Sequence, residues 1–244
     1  MKIFNEEFGH SYRIYAFGYK ILLDKEDGDV LSDIYERGFL PYSGSIGVSN
    51  RFYLARSARV PLKTFKLSSE NRRVLKKFQD SFEVTMVKPQ TIARDETALS
   101  FMLRYFKERH GDHVVSRKRL LHILAARHNT QVAVYKDADN KIVAYVIENQ
   151  DDTSGHYWFS FYDLNYAFRS LGMWLMIERV LNAQKAGKSH YYLGTVYGEK
   201  ALYKTNFHNL EYWNGAKWQT NLSELKNLAR TDSDREVILG NGTM

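Results

Sequence analysis

The sequence predicts an α+β protein with a mixed, mostly antiparallel sheet flanked by helices. Residues 131–136 and 141–148 are rich in β-branched and aromatic side chains and flank a turn of Asp and Asn residues, which is the pattern of a β-hairpin. Residues 166–185 carry apolar side chains at helical spacing. Strand-like segments 155–162 and 191–195 lie before and after that helix. This order of strands and helix predicts the sheet.

The N-terminal part of the chain predicts shorter elements around a loop. Residues 38–48 are rich in Gly and Ser, which favours a loop. The other elements predicted there are a strand or two (residues 11–23), a short helix ending at Gly38 (residues 31–37) and an extended segment (residues 51–67).

A helix with one basic face is predicted to begin at Ser68 or Ser69, whose hydroxyl can cap the free amides. Val74, Leu75 and Phe78 supply its buried stripe. A strand over residues 82–87, closed by Pro89, and helices over residues 95–109 and 116–128 follow.

A short helix (residues 199–206), a strand pair (residues 210–218) and a polar tail complete the predicted elements. We divide the chain into an N-terminal α/β subdomain (residues 1–90), a catalytic domain (residues 91–222) and a C-terminal tail (residues 223–244) whose end is marginally ordered.

Composition limits the function classes. The 244 residues include no cysteine, which excludes disulfides, thiolate metal sites and cysteine nucleophiles. The formal net charge of +7 favours a polyanionic partner, above all RNA. No apolar run reaches the roughly 18 residues that cross a bilayer, and the first residues lack the apolar core of a signal peptide. We therefore expect a cytoplasmic protein without a membrane partner.

The predicted order of strand, hairpin, strand, long helix, strand and short helix resembles the acyltransferase fold called GNAT, here with an N-terminal α/β elaboration. In that fold the start of the central helix binds a phosphate-bearing donor, because its free amides lie at the positive end of the helix dipole. The matching segment here carries Arg169, Ser170, Leu171 and Gly172. Trp174 stands where a coenzyme A cradle needs a small residue, and it is equally explained as a core residue.

The segment from Lys200 to Phe207 combines aromatic and basic residues. Helical spacing predicts Lys200, Tyr203 and Lys204 on one face, which would suit a phosphate or a carboxylate. A pair of solvated lysines beside a core tyrosine explains the same pattern.

The last third of the chain resembles the catalytic region of aminoacyl-tRNA–protein transferases, the arginyl- and leucyl-transferases of the N-degron pathway. Two upstream segments, residues 52–62 and 69–73, resemble a second block of that family. The C-terminal pieces that carry the resemblance are Phe161-Tyr162-Asp163, Arg169-Ser170-Leu171-Gly172, Tyr192-Leu193-Gly194, Tyr203-Lys204, Phe207 and Trp213-Asn214-Gly215 with Trp218.

The resemblance implies aminoacyl-tRNA as donor, with Arg or Leu as the transferred residue, and an acceptor protein that begins with Asp or Glu. The family usually carries an N-terminal cysteine cluster that binds a metal or iron–sulfur centre, and this chain has none. We therefore expect no metal and no cofactor.

Transfer of an aminoacyl ester to an α-amine requires positioning and stabilisation of an oxyanion more than strong base catalysis, because the amine has a pKa near 8. Backbone amides after Tyr162 and at Gly194 are the predicted oxyanion donors, and Tyr203 is a further catalytic candidate. Asp163 is predicted to orient or deprotonate the amine. A capping carboxylate at a turn is the alternative for Asp163.

Binding residues follow from charge. Arginine binds carboxylates in a bidentate manner, so Arg56 and Arg59, with Arg169 as a further candidate, are predicted to bind the acidic acceptor side chain. The donor tRNA is predicted to contact the helix start at Arg169–Gly172 and six cations: Arg72, Arg73, Lys76, Lys77, Lys200 and Lys204.

Three alternatives remain at this point. One is an N-acetyltransferase that uses acetyl-CoA. Another is an enzyme that transfers aminoacyl groups to a cell-wall precursor or a small peptide. The third is a non-catalytic tRNA-binding protein on the same fold.

Overall fold

A computed structural model describes residues 1–11, 16–111, 115–126 and 128–239. The predicted first strand segment, residues 11–23, lies partly outside the described residues. Within them, the chain forms a four-stranded sheet and an eight-stranded sheet.

The smaller sheet is fully antiparallel, with strand order β1-β2-β4-β3. Helix α1 (Leu31–Glu36) packs against it, so that Ile34, Tyr35 and Phe52 share one hydrophobic cluster. The strands are β1 (Lys2–Ser11), β2 (Ala16–Asp24), β3 (Phe39–Pro41) and β4 (Arg51–Leu54).

The larger sheet is mixed, with order β12-β11-β5-β10-β9-β8-β7-β6. Its β9 and β10 run parallel, whereas the other neighbouring strands pair antiparallel. The predicted fold class is therefore confirmed. The strands are β5 (Ser57–Pro61), β6 (Glu83–Val87), β7 (Thr130–Lys136), β8 (Ile142–Gln150), β9 (Ser154–Tyr162), β10 (His190–Thr195), β11 (Glu211–Trp213) and β12 (Trp218–Gln219).

Side-chain caps fix the helix starts that the sequence predicts. Ser68 and Asn71 form a capping box at α2, Asp95 accepts from two amides at α4, and Ser116 caps α5. The helices after α1 are α2 (Ser69–Lys76), α3 (Pro89–Ala93), α4 (Glu96–His110), α5 (Arg117–Leu124), α6 (Leu171–Lys185) and α7 (Leu222–Leu239), with 3₁₀ helices at Leu164–Arg169 and Glu199–Asn206.

The main core lies between the larger sheet and α6. Leu171, Leu175 and Ile177 are fully buried, and Trp174 is 7% exposed between Phe78 and other aromatic rings. These side chains are core residues, which is the alternative given above for Trp174. Because the Trp174 ring lies in the core, it does not fill the start of α6 and is not evidence against a phosphate-bearing ligand there.

Two sequence predictions were wrong in detail. The helix predicted over residues 166–185 is broken at Ser170, which has a left-handed φ of 70° and ends the first 3₁₀ helix. The predicted loop over residues 38–48 begins with β3, whose backbone pairs with β4. The polar tail, for which no element was predicted, is helix α7 over most of its length, with Leu225 and Ala229 buried. Its last five residues lie outside the described residues. In each case long-range packing overrode local composition.

The division of the chain at residues 90 and 222 stays a prediction. Two strands that precede residue 90, β5 and β6, belong to the larger sheet.

Candidate functional site

Strands β9 and β10 separate part-way along their length. Their parallel ladder ends at the pairing of Tyr192 with His156. Beyond it, β9 continues to Tyr162 along β8, and β10 continues to Thr195 along β5. The carboxyl ends of two parallel strands therefore diverge close to the start of α6.

Gly194 lies at a bulge in β10. The pairing with β5 shifts register between Tyr192 and Gly194. Gly194 has a φ of 85°, which glycine adopts without steric cost. A Cβ built on Gly194 would lie 3.6 Å from Lys204 Nζ. The predicted oxyanion residue thus lies where β10 bends away from β9, with a lysine close by.

Lys204 points inward from the second 3₁₀ helix. Its half-buried ammonium donates a 2.6 Å hydrogen bond to the Thr195 carbonyl oxygen. Burial lowers the pKa of this ammonium to about 8. Lys204 also lies near His156. Burial lowers the pKa of His156 to about 3, and the positive charge of Lys204 contributes to that shift. A lysine whose pKa is lowered to about 8 therefore lies at the divergence of β9 and β10.

Contrary to the prediction, the structure does not place Lys200, Tyr203 and Lys204 on one helical face. Lys200 is exposed and Tyr203 is 45% exposed, whereas Lys204 is half-buried. The segment is a 3₁₀ helix with three residues per turn, so residues 200 and 203 align and residue 204 points elsewhere.

Tyr162 and Gly172 form a close contact between the end of β9 and the start of α6. A Cβ on Gly172 would lie 2.9 Å from Tyr162 Cε1, so only glycine lets the ring lie against the helix. The Tyr162 ring also packs on Tyr105, with ring centroids 5.0 Å apart. Tyr203 lies near Tyr162. Desolvation raises the pKa of the Tyr203 hydroxyl to about 12, and Tyr162 contributes to that shift.

Asp163 follows β9 directly and begins the first 3₁₀ helix. Its Oδ1 accepts from the Asn165 amide at 3.0 Å, and its Oδ2 accepts from Lys141 Nζ at 3.1 Å. Burial opposes ionisation, but the Asn165 amide and Lys141 outweigh it, so the pKa of Asp163 lies below its usual value. These contacts are those of a capping carboxylate, the alternative that the sequence left open.

The start of α6 meets the end of α2. Arg169 donates to the Lys77 carbonyl oxygen at 3.1 Å and lies over the Phe78 ring. Lys77 Nζ in turn donates to Ser170 Oγ at 3.4 Å. Leu171 is fully buried, so its side chain serves the core. Two groups of predicted tRNA contacts therefore lie together: Lys77 at the end of α2, and Arg169–Leu171 at the start of α6.

The remaining cations of α2 are exposed. Arg73 pairs with Glu70 on its own helix, and Arg72 donates to the Leu67 carbonyl oxygen. Lys76 is exposed beside them.

The two arginines predicted to bind the acceptor have carboxylate partners within the chain. Arg56 pairs with Asp232 of α7. Arg59 is 6% exposed and pairs with Glu36 and Glu211. The Arg59 guanidinium also lies 4.0 Å from the Trp218 ring centroid, so it connects α1, β5, β11 and β12.

Comparison with models of known protein families identifies the fold. The model described as acetyltransferase (GNAT) domain matches residues 66–205, more than half of the chain. The chain belongs to the GNAT family.

Curated relatives of this GNAT protein include two bacterial aspartate/glutamate leucyltransferases. The protein of Parvibaculum lavamentivorans is 27% identical over 67% of this chain and 68% of its own length. That of Saccharophagus degradans is 27% identical over 66% of this chain and 70% of its own length. The chain is thus a distant homologue of these enzymes.

Solved structures similar to this GNAT protein include FemX and L-PGS from Bacillus licheniformis. FemX matches with a TM-score of 0.49 and 11% identity, covering 78% of this chain and 69% of its own. L-PGS matches with a TM-score of 0.45 and 15% identity, covering 72% of this chain, which spans about half (53%) of the L-PGS chain.

The GNAT core contains a buried polar cluster that sequence analysis missed. Glu148 of β8 is fully buried, accepts a hydrogen bond from the Tyr191 hydroxyl and pairs with Arg179 of α6 at 3.1 Å. A glutamate within an apolar strand and an arginine within an apolar helix are the sequence signals that could have indicated this cluster. The cluster joins β8, β10 and α6 beneath the divergent strands.

A surface pocket of about 560 Å³ lies at the other end of the sheet and is separate from this site. Lys88, Thr130 and Gln150 are among its lining residues. In the ladder of β8 with β9, Gln150 pairs with Gly155, whereas Tyr162 pairs at the opposite end. The described residues include no helix suited to crossing a membrane and no group of three or more His, Asp or Glu side chains that could hold a metal ion.

Proposed function

We propose that this GNAT protein transfers an aminoacyl group from charged tRNA to the α-amine of a protein that begins with Asp or Glu. The observation that carries the proposal is the lysine at the divergence of β9 and β10, close to Gly194 and Thr195. Similarity to the leucyltransferases supports leucine as the transferred residue.

The reaction needs one proton to move. The acceptor amine nitrogen attacks the carbonyl carbon of the aminoacyl ester, and the new C–N bond forms as the carbonyl oxygen takes the negative charge. The backbone N–H groups at the bend near Gly194 stabilise that oxyanion. Collapse of the intermediate breaks the bond to the ribose oxygen, which takes a proton from the Lys204 ammonium. Lys204 then regains a proton from the attacking amine.

The pKa of about 8 suits Lys204 for this role, because an acid works best when its pKa lies near the operating pH. An ordinary lysine would hold its proton too firmly. An attacking α-amine of similar pKa can return the proton at little cost in free energy.

The donor tRNA binds, in this proposal, at the start of α6 and along α2. The free amides of the α6 start and the Lys77 ammonium next to Ser170 suit a phosphate group of the acceptor end. Exposed Lys76, Arg72 and Lys200 add contacts with the phosphate backbone.

The test is a transfer assay. The protein is incubated with a total pool of charged tRNA and with peptides that differ only in an N-terminal Asp, Glu, Asn or Ala. We expect mass spectrometry to show leucine added to the Asp and Glu peptides alone. Uncharged tRNA with free leucine is the control and should give no product. Release of the amino acid from tRNA without any modified peptide, or binding of tRNA with no release at all, would contradict the proposal.

Acetyl transfer from acetyl-CoA is the second candidate, favoured by the family description and by the α6 start, because the amides of a helix start suit a phosphate group. Calorimetric titration with acetyl-CoA separates the two. We expect no saturable heat at concentrations where other acetyltransferases are half-saturated.

A further inference from the structure

A carboxylate of the protein itself occupies a cationic pocket beside the divergent strands. Asp232 Oδ2 accepts hydrogen bonds from Arg56 Nη2 and from the backbone amide of Gly198, whose nitrogen lies 3.1 Å away. The Arg56 and Asp232 side chains are 14% and 24% exposed. A guanidinium and a backbone amide that converge on one oxygen form a charge-assisted anion site.

The pocket is held by contacts that do not involve Asp232. Arg56 Nε donates to the Val196 carbonyl oxygen at 2.9 Å, and the guanidinium lies 4.6 Å from the Tyr197 ring centroid. The Tyr197 hydroxyl accepts from the Arg56 amide at 2.8 Å. These contacts fix the guanidinium and leave Nη2 directed at an anion. A guanidinium so largely removed from water requires a negative partner.

Helix α7 supplies that partner from the face that packs on the protein. Leu225, Ala229 and Asp232 follow the spacing of one helical face, and the first two are fully buried. The face therefore changes from apolar to acidic where it reaches Arg56. Asp232 lies about one turn beyond Ala229, so its contact with Arg56 is separate from the packing of Leu225.

The pocket adjoins the site proposed for transfer. The Val196 carbonyl binds Arg56, and the preceding carbonyl, that of Thr195, binds Lys204. Arg56 and Lys204 therefore contact consecutive carbonyl groups at the end of β10. An N-terminal Asp or Glu carries its carboxylate only a few bonds from its α-amine.

We propose that Arg56 and the Gly198 amide bind the side-chain carboxylate of the acceptor's first residue, and that Asp232 occupies this pocket as an intramolecular stand-in until the acceptor displaces it. The inference rests on the proposed function for the identity of the ligand. An internal competitor of this kind raises the observed Kd of the acceptor in inverse proportion to the fraction of molecules whose pocket is free.

The experiment measures peptide binding without tRNA, by fluorescence anisotropy of labelled peptides that begin with Asp or Asn. Replacing Asp232 by Asn removes the charge and keeps the shape of the side chain. We expect Asp232→Asn to lower the Kd of the Asp peptide about five-fold or more and to leave that of the Asn peptide within about two-fold. Asp33→Asn, the same change at an exposed position of α1, should leave both Kd values unchanged. An unchanged or higher Kd for the Asp peptide in folded Asp232→Asn protein would overturn the proposal.

Hydrogen exchange of the unmodified protein gives a second readout that does not depend on a variant. Saturating Asp peptide should accelerate amide exchange in residues 230–239 of α7, because displacement of Asp232 releases that part of the helix, whereas exchange around Leu225 should not change. Unaltered exchange in residues 230–239 would count against displacement. The assays also separate the two proposals. Tighter binding by Asp232→Asn without any transfer from charged tRNA would refute the proposed function alone. Transfer to acidic peptides with no effect of Asp232→Asn would refute the stand-in alone.

Discussion

Lys204 owes its proposed role to its surroundings rather than to its type. The ammonium lies against the Thr195 carbonyl near buried, uncharged His156, and loss of hydration outweighs the single hydrogen bond that it makes. A lysine in water would stay protonated at every physiological pH. The site therefore converts an ordinary cation into a group that can give up its proton.

Replacing Lys204 by Met should lower kcat about 100-fold, because proton donation to the leaving oxygen is lost. In the unmodified enzyme, kcat/KM should rise with pH as the acceptor amine loses its proton and fall again as Lys204 loses its own near pH 8. Steady-state transfer assays between pH 6 and pH 10 measure both the rise and the fall of kcat/KM, because the acceptor amine and Lys204 lose their protons within that range.

Two variants sharpen this test. Lys204→Arg keeps the positive charge but cannot release a proton, so its low activity should no longer fall on the alkaline side. Lys118→Met, at an exposed position of α5, should leave kcat unchanged. An unaltered pH profile in Lys204→Arg would remove Lys204 from proton transfer.

Asp163 is expected to act as a cap. Asp163→Asn should keep kcat within a few-fold of the unmodified enzyme, because asparagine also accepts from the Asn165 amide. Asp163→Ala should lower the free energy of unfolding by about 1 kcal/mol. Urea denaturation and the transfer assay measure the two effects. A loss of kcat in Asp163→Asn at unchanged stability would instead support the catalytic role.

At the scale of elements, the bend of β10 depends on Gly194. Gly194→Ala should lower the free energy of unfolding by about 1–2 kcal/mol, since φ of 85° is unfavourable for alanine. It should also reduce transfer more than ten-fold, because the backbone N–H groups at the bend would shift. Gly47→Ala is the matched control: Gly47 has φ of 98° and open space around its Cα. It should cost similar stability and spare activity. Equal activity of the two variants would contradict a special role for the bend.

Helix α2 is expected to act on tRNA through charge. Its buried side carries Asn71 and Val74, while Arg72, Arg73 and Lys76 face solvent. Affinity for tRNA should fall steeply as salt rises, and Lys76→Gln should reduce the slope of log K against log salt by about 1. Filter binding over a few-fold range of salt measures the slope. Lys118→Gln should leave it unaltered, and a salt-independent affinity of the unmodified protein would exclude a phosphate interface.

At the scale of the molecule, Arg59 joins the two sheets. It is buried between Glu36 of α1 and Glu211 of β11 and lies on Trp218. Arg59→Met should lower the free energy of unfolding by about 1–3 kcal/mol, because both carboxylates lose a charged donor while Glu36 stays partly hydrated. The preference for Asp over Asn peptides should persist. Loss of that preference with normal urea stability would restore Arg59 as an acceptor contact.

Arg56 and Arg59 show what a sequence pattern leaves open. Both stand in one basic segment of β5 and its approach, and both suit a carboxylate. The fold places them at different sites, since Arg59 lies between the two sheets and Arg56 lies at the end of β10. Their partners Glu211 and Asp232 come from far along the chain, so no local spacing could have indicated them.

Local patterns by themselves determined the hairpin of β7 and β8, the capped start of α2 and the positions of α4 and α5, because alternation, caps and turns act over a few residues. Tertiary structure alone decided three things: the break at Ser170, the helical state of the polar tail, and the low pKa of Lys204. Each depends on which distant groups exclude water or supply a partner. Burial is a property of the folded molecule, and it sets both the packing of α7 and the charge of Lys204.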